Sequence, residues 1–140
     1  MRSRRFTGLA IAALVPVFAA CGETDSHPNK ERPAAAINVT AAIIDGRVEV
    51  SPREFGAGPI RLVITNQSGK EQAVTFRTAG RESGITRSTA PIRPNGTATL
   101  EVDNIDEGSY EVRTADDAIK PATVVAGAAR PSAQDQLLQP

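Results

Sequence analysis

Cysteine and histidine, which often supply nucleophiles and metal ligands, occur only once each in this 140-residue chain, as Cys21 and His27. A metal site needs three or four donors fixed in space, and a hydrolytic triad needs a base beside its nucleophile. His27 lies beside Pro28 in a polar segment, so we interpret it as a solvated linker residue. We therefore predict no catalytic, cofactor or metal site built on imidazole or thiolate, and no enzymatic activity.

Arginines form the main candidate binding group. Four of them lie in or beside the long loop 77–91, namely Arg77, Arg81, Arg87 and Arg93. Guanidinium groups bind phosphate and carboxylate through paired N–H donors, so this loop is a candidate site for an anionic ligand. The alternative is a solvated loop in which Glu82 balances part of the charge.

Acidic residues form a second group, Asp103, Asp106, Glu107, Asp116 and Asp117. They lack the regular spacing and the glycine of a calcium-binding loop, so we expect them in turns and on the surface. Two carboxylates that face each other across a cleft would instead suit the hydrolysis of a glycan, which is the enzymatic alternative.

The first twenty residues have the order of an export signal. Arg2, Arg4 and Arg5 precede an apolar run, residues 8–20, which Pro16 interrupts. A membrane-spanning helix needs roughly 20 apolar residues, so this run is too short to be one. It ends in small residues directly before the only cysteine, where cleavage would fall.

The segment Phe18-Ala19-Ala20-Cys21 resembles the lipobox of bacterial lipoproteins, with phenylalanine where leucine is usual. The resemblance implies that residues 1–20 are removed and that Cys21 carries acyl chains such as palmitate. Several acyl chains anchor a protein stably, whereas a single myristoyl chain is marginal. Two alternatives stay open: an ordinary signal that leaves Cys21 free, and a twin-arginine signal, which residues 3–5 partly fit.

The chain after residue 20 is mildly acidic. Because residues 1–20 contain three arginines and no acidic residue, the remaining 120 residues carry 13 basic and 16 acidic side chains, a net charge of −3. This charge argues against nucleic acid as a partner. Residues 21–36 are polar, contain two prolines and lack periodicity, which predicts a flexible linker carrying the lipidated Cys21.

From residue 37 apolar residues alternate with polar ones, which is the period of a half-buried strand. Asp45 and Gly46 form a hairpin signal, and other turn signals separate seven or eight short strands up to residue 126. The pattern predicts an all-β sandwich over residues 37–126. Residues 127–140 are predicted to be a mobile C-terminal tail.

Three segments of this region resemble those of cupredoxins. Residues 58–66 resemble the strand and asparagine before the first copper histidine, and residues 92–97 resemble a proline–glycine–threonine turn. Residues 107–112 resemble the glycine–tyrosine strand that leads to the copper cysteine. The resemblance implies a cupredoxin-like, Greek-key β-sandwich of seven to eight strands, although a fold does not by itself imply a function.

The resemblance also implies where copper ligands would lie. The first histidine falls near Gln72, the cysteine at Thr114 and the second histidine near Asp117, and no methionine follows. A type 1 copper site needs two imidazoles, a thiolate and a weak axial ligand. We therefore predict a domain without copper and without another cofactor.

These features predict a lipid-anchored protein on the extracytoplasmic face of the bacterial cell membrane, with a copper-free domain in a binding or structural role. The expected partners are the membrane, through the anchor, and an envelope protein or an anionic wall polymer. The alternative is an envelope redox or metal-handling accessory protein whose partner supplies the metal.

Overall fold

The structure, a computed structural model, describes residues 33–81 and 83–132. Several predicted features lie outside the described residues: the signal peptide over 1–20, the lipidation site Cys21, the linker up to residue 32, and residues 133–140 of the predicted tail. Within the described ranges, no helix is long and apolar enough to cross a membrane.

Nine β-strands form the regular structure of the described residues. In chain order they are β1 (Ile37–Ile44), β2 (Arg47–Ser51), β3 (Glu54–Ala57), β4 (Ile60–Asn66), β5 (Val74–Thr78), β6 (Thr86–Ser88), β7 (Thr97–Val102), β8 (Gly108–Thr114) and β9 (Ala122–Ala129). The predicted Asp45–Gly46 hairpin joins β1 to β2. Gly46 has a φ of 84°, which glycine adopts at little cost.

The strands form two sheets around one hydrophobic core, so the predicted all-β sandwich is confirmed. One sheet has the order β2-β1-β4-β7 and the other β3-β9-β8-β5-β6. β1 pairs with β4 in parallel, as β3 does with β9, and the other neighbours are antiparallel. The number of strands exceeds the predicted seven to eight because Thr86–Ser88, within the expected loop, pairs with β5.

Alternating residues of both sheets build the core. On β1, Val39 and Ile43 are buried while Asn38 is exposed, as the sequence pattern predicts. Phe76 of β5 is fully buried and stacks on Tyr110 of β8 with 5.1 Å between ring centroids. Burying one large apolar side chain stabilises a fold by about 1.5–3 kcal/mol, so this aliphatic core with one aromatic pair supports the domain without a disulfide.

The sandwich has two ends that carry different parts of the chain. We call the end with Ala35, Pro59 and Arg130, where the described chain begins and finishes, the proximal end. The distal end carries the β1–β2 turn at Gly46 and the loop that follows Asn66. Because β1 has eight residues and a strand rises by about 3.3 Å per residue, most of the domain length separates these ends.

The last strand extends beyond the boundary predicted from the sequence. β9 continues through Ala129, so residues 127–129 lie in the sheet and not in a mobile tail that starts at 127. Gly127 pairs with Gly56 of β3, and Ala129 pairs with Ala57. Glycine and alanine have low strand propensity, so the composition of residues 127–129 does not favour a strand. The segment is a strand because it pairs with β3.

The buried phenol of Tyr110 predicts a pH dependence of stability. Burial raises the pKa of the Tyr110 hydroxyl above its ordinary value of 10.0, and the charge of Asp106 acts in the same direction. The unfolded chain therefore ionises first as the pH rises. The stability contributed by the neutral phenol is complete below pH 10.0 and is lost as the pH passes through the pKa of the folded state.

An absorbance titration reports on Tyr110 alone, because the chain has no other tyrosine. We expect its midpoint to be higher in the folded than in the urea-unfolded protein. The variant Tyr110→Phe should lose less stability in alkaline solution than the wild type. Equal midpoints in the folded and unfolded states would contradict this prediction.

Candidate functional site

Asn66, the last residue of β4, organises the distal end and is fully buried. Its side-chain N–H groups donate to the carbonyls of Lys70 at 2.7 Å and Ile92 at 2.8 Å. Its side-chain oxygen accepts from the backbone N–H of Ser68 at 3.0 Å and from the Ser68 hydroxyl at 2.7 Å. The backbone of Asn66 also pairs with residues 95 and 96. Asn66 therefore fixes the loop that follows β4 relative to the segment that precedes β7.

Gln72 follows the first of these loops and continues the inward face of β5. Its backbone N–H and C=O both pair with Ile92, at 3.0 and 2.8 Å. Gln72 is only 6% exposed, and among residues 33–81 and 83–132 no group forms a hydrogen bond with its carboxamide. Both amide atoms of the side chain nevertheless keep contact with solvent, since no side-chain N or O atom of the described residues is fully buried without a hydrogen-bond partner. The polar end of Gln72 therefore opens outward at the distal end.

Thr114 ends β8 and lies opposite Val74, on the same inward face as Gln72. It is 3% exposed, and its hydroxyl donates to the carbonyl of Asp116 at 3.2 Å. The same carbonyl accepts from the N–H of Ile119 at 3.0 Å, while the Asp116 carboxylate accepts from the N–H of Ala118 at 3.0 Å. The loop after β8 is thus a closed turn whose own polar groups are satisfied.

A cleft of about 410 Å³ opens between these loops. We call it the Gln72 cleft, and its polar and apolar walls include Asp45, Ser68, Lys70, Gln72, Asp116 and Ile119. Within the described part of the chain, neither Lys70 nor Asp45 forms an ion pair. The volume of the Gln72 cleft lies within the range of small-molecule sites, about 300–1,000 Å³.

The positions that the cupredoxin resemblance assigns to copper ligands do not fit a type 1 copper ion. Gln72 offers a carboxamide, and the Thr114 hydroxyl already donates to a carbonyl. Asp117 is exposed and forms an ion pair with Arg113 at 3.1 Å. A type 1 site takes its character from a thiolate and two imidazoles, which these oxygen and amide donors cannot replace. No group of three metal-ligating side chains occurs in the described residues.

The four arginines predicted to form an anionic-ligand loop do not come together. Arg77 forms an ion pair with Glu111 at 2.6 Å, and Arg87 donates to the preceding carbonyl at 3.0 Å. Arg81 follows β5 towards the proximal end, whereas Arg93 follows the bridge residue Ile92 at the distal end. This correction has a topological reason: in the β5–β6 pairing Arg87 lies opposite Phe76, so its side chain and that of Arg77 lie on opposite faces of the sheet.

The acidic residues are likewise divided between the two ends. Asp103, Asp106 and Glu107 are exposed and border a proximal cleft of about 360 Å³ together with Arg130. The pair at 116–117 lies at the distal end, in the turn after β8. The five carboxylates therefore lie in two separate groups.

Two charged residues of the Gln72 cleft were not singled out by sequence analysis. The sequence predicts Asp45 only as part of a hairpin and gives Lys70 no role. The structure brings the hairpin to the cleft because Lys120 donates its N–H to the Gly46 carbonyl at 2.9 Å and accepts from Val48 at 2.8 Å. This contact joins residues more than 70 positions apart, and nothing in the local sequence signals it.

No protein-family model matches the chain, and no curated protein matches it. Among solved structures, auracyanin from the photosynthetic bacterium Roseiflexus castenholzii is 13% identical, with a TM-score of 0.52 over 67% of this chain and 98% of that chain. Auracyanin B is 12% identical, with a TM-score of 0.52 over 69% and 99%. An amicyanin variant in its Cu(I) form has 17% identity and a TM-score of 0.47, over 70% and 94%. At these identities the likeness shows the fold alone, a cupredoxin-like β-sandwich.

Proposed function

We propose that this chain is an exported lipoprotein of the bacterial envelope, anchored by lipid on Cys21, whose copper-free cupredoxin-like domain is a binding module. The observation that carries the proposal is the Gln72 cleft. There, a carboxamide lies near the position that the cupredoxin resemblance gives to the first copper histidine, at Gln72. A carboxamide can form hydrogen bonds with a ligand and does not exchange electrons, which favours recognition over redox chemistry or catalysis.

The direction of the chain supports an anchored binding module. Residues 33–36 lie at the proximal end, where Arg130 donates to the carbonyl of Ala35. A lipid at Cys21 would attach the domain through a linker that joins this end, so the Gln72 cleft would lie on the side away from the membrane. A coil of 15 residues spans about 20 Å, which leaves the distal end accessible to envelope components.

The charge distribution favours a peptide or an envelope protein over an anionic wall polymer as the partner. The domain and linker carry a net charge of −3, and the four candidate arginines are divided between the two faces and the two ends of the sheet. A polyanion needs several cations on one face, whereas a small cleft with mixed charges suits a ligand with both signs.

The anchor predicts a covalent mass on the mature N-terminus. Mass spectrometry of the membrane-extracted protein should show a chain that lacks residues 1–20 and carries acyl chains on Cys21. The variant Cys21→Ser should lose incorporation of labelled fatty acid completely, because only the thiol accepts the lipid. Ser26→Ala serves as a matched control in the same segment and should be lipidated normally. An unmodified Cys21 or a retained signal in the wild type would refute the anchor.

The copper-free character has a separate test. We expect that adding Cu(II) to the full chain produces no intense visible absorption, since the described residues offer no thiolate. An intense blue band would contradict a binding module and favour a metal-handling accessory protein.

A further inference from the structure

Gln72 differs from the other buried polar residues of the distal end in that its side chain has no partner. The Asn66 side chain forms four hydrogen bonds, and the Thr114 hydroxyl donates to a carbonyl. Gln72 is 6% exposed, and no described residue binds its carboxamide. Because neither amide atom is sealed from solvent, the carboxamide keeps its donors and its acceptor available at the cleft. A group that enters the cleft would give the carboxamide its partners.

The carboxamide and the charged side chains around it indicate the chemical class of a ligand for the cleft. A glutamine side chain presents one acceptor oxygen and two donor hydrogens, which match the N–H and C=O of a peptide unit. Lys70 supplies a cation, while Asp45 and Asp116 supply anions on the same cleft. One Asp116 oxygen accepts from the N–H of Ala118, and the other forms no hydrogen bond within the described chain. The cleft thus offers both charges beside a neutral amide.

We propose that the Gln72 cleft binds a short zwitterionic peptide, with the peptide unit on Gln72, the terminal carboxylate on Lys70 and the ammonium group on Asp45 or Asp116. This inference rests on the proposed function and names the ligand class of the same binding module. A free peptide and the terminus of a protein chain share part of this chemistry. A free peptide carries both charges, whereas a protein terminus carries only one, so capped peptides distinguish the two sources.

The test is a titration of the isotope-labelled full chain in detergent with alanyl-alanine, followed by NMR at the Gln72 side-chain amide. We expect saturable binding with a dissociation constant of about 1 mM or tighter, and the largest shifts at Gln72 and Lys70. N-acetyl-alanyl-alanine and alanyl-alanine amide should each bind at least about fivefold more weakly, because each loses one charge contact.

Matched variants assign the contacts. Gln72→Leu should weaken the binding of alanyl-alanine by about tenfold or more, whereas Gln67→Leu, at an exposed glutamine outside the cleft, should bind normally. Lys70→Gln should weaken alanyl-alanine but leave the affinity for its amide unchanged. Lys120→Gln, at an exposed lysine that does not line the cleft, is the control.

Stability provides a readout that does not depend on any ligand. Gln72→Leu should unfold at nearly the same urea concentration as the wild type, because no described residue loses a hydrogen bond with the side chain. A much lower midpoint would show that the Gln72 carboxamide is needed within the fold and would contradict the proposal, as would no saturation at about 10 mM peptide or equally tight binding of a capped peptide. These results are separate from the lipid analysis of Cys21, so failure of the ligand assignment and failure of the anchor can be distinguished.

Discussion

Asn66→Ala is expected to lower the free energy of unfolding by about 3–4 kcal/mol, the largest effect among the polar residues of the domain. The side chain is fully buried and forms four hydrogen bonds. Truncation leaves the N–H of Ser68 without its partner and removes one of the two hydrogen bonds that the Ile92 carbonyl accepts. Urea unfolding followed by circular dichroism measures the loss.

Two further variants make this prediction specific. Asn38→Ala, at an exposed position of β1, should change the stability by less than about 0.5 kcal/mol. Asn66→Asp keeps the shape but directs a carboxylate oxygen at the carbonyls of Lys70 and Ile92. Burial and these carbonyls raise the pKa of the introduced carboxyl, so its destabilisation should be largest at neutral pH and decrease as the pH falls. A loss for Asn66→Ala no larger than that for Asn38→Ala would contradict the role of Asn66.

Arg130→Ala should destabilise the domain by about 2–3 kcal/mol, since bonds from a charged donor are stronger than neutral ones. The guanidinium donates through Nε to the carbonyls of Gly56 at 3.0 Å and Ala57 at 3.3 Å. Its two terminal nitrogens donate to the carbonyls of Ala35 and Pro59. One side chain thus ties β3 and the start of β4 to the segment that precedes β1.

The surroundings of Arg130 explain why lysine should not replace it. A Cβ at Gly56 would lie 2.6 Å from the Arg130 side chain, and Gly58 has a φ of 124°, so both glycines make room for a planar group. Arg130→Lys keeps the charge but loses the fork of donors, and should recover less than half of the stability.

Arg53→Ala, at an exposed arginine next to β3, is the matched control and should be nearly neutral. Amide hydrogen exchange provides a second readout. In Arg130→Ala, exchange should accelerate at Ile37, whose N–H donates to the Pro59 carbonyl at 3.3 Å. Unchanged exchange there, together with a stability equal to that of Arg53→Ala, would contradict this role.

Local sequence patterns were sufficient for the strands whose own residues alternate. β1 and β4 alternate buried aliphatic residues with exposed or half-buried ones, and the Asp45–Gly46 turn lies where the pattern predicts it. Local sequence patterns were insufficient to predict β6 and the end of β9. Both have compositions that favour no strand, and both are strands because a neighbouring strand offers unpaired backbone groups.

The sequence by itself predicted the sandwich class, which the structure confirms. It also predicts an export signal over residues 1–20 and a domain without copper, because each of these predictions depends on residue type and short-range order. Only the tertiary structure decided that the four arginines separate, that Arg130 joins the two ends of the described chain, and that Gln72 meets Lys70, Asp45 and Asp116 at one cleft. These relations join residues that are far apart in the chain. Strand pairing across two sheets creates them, and no local pattern encodes it.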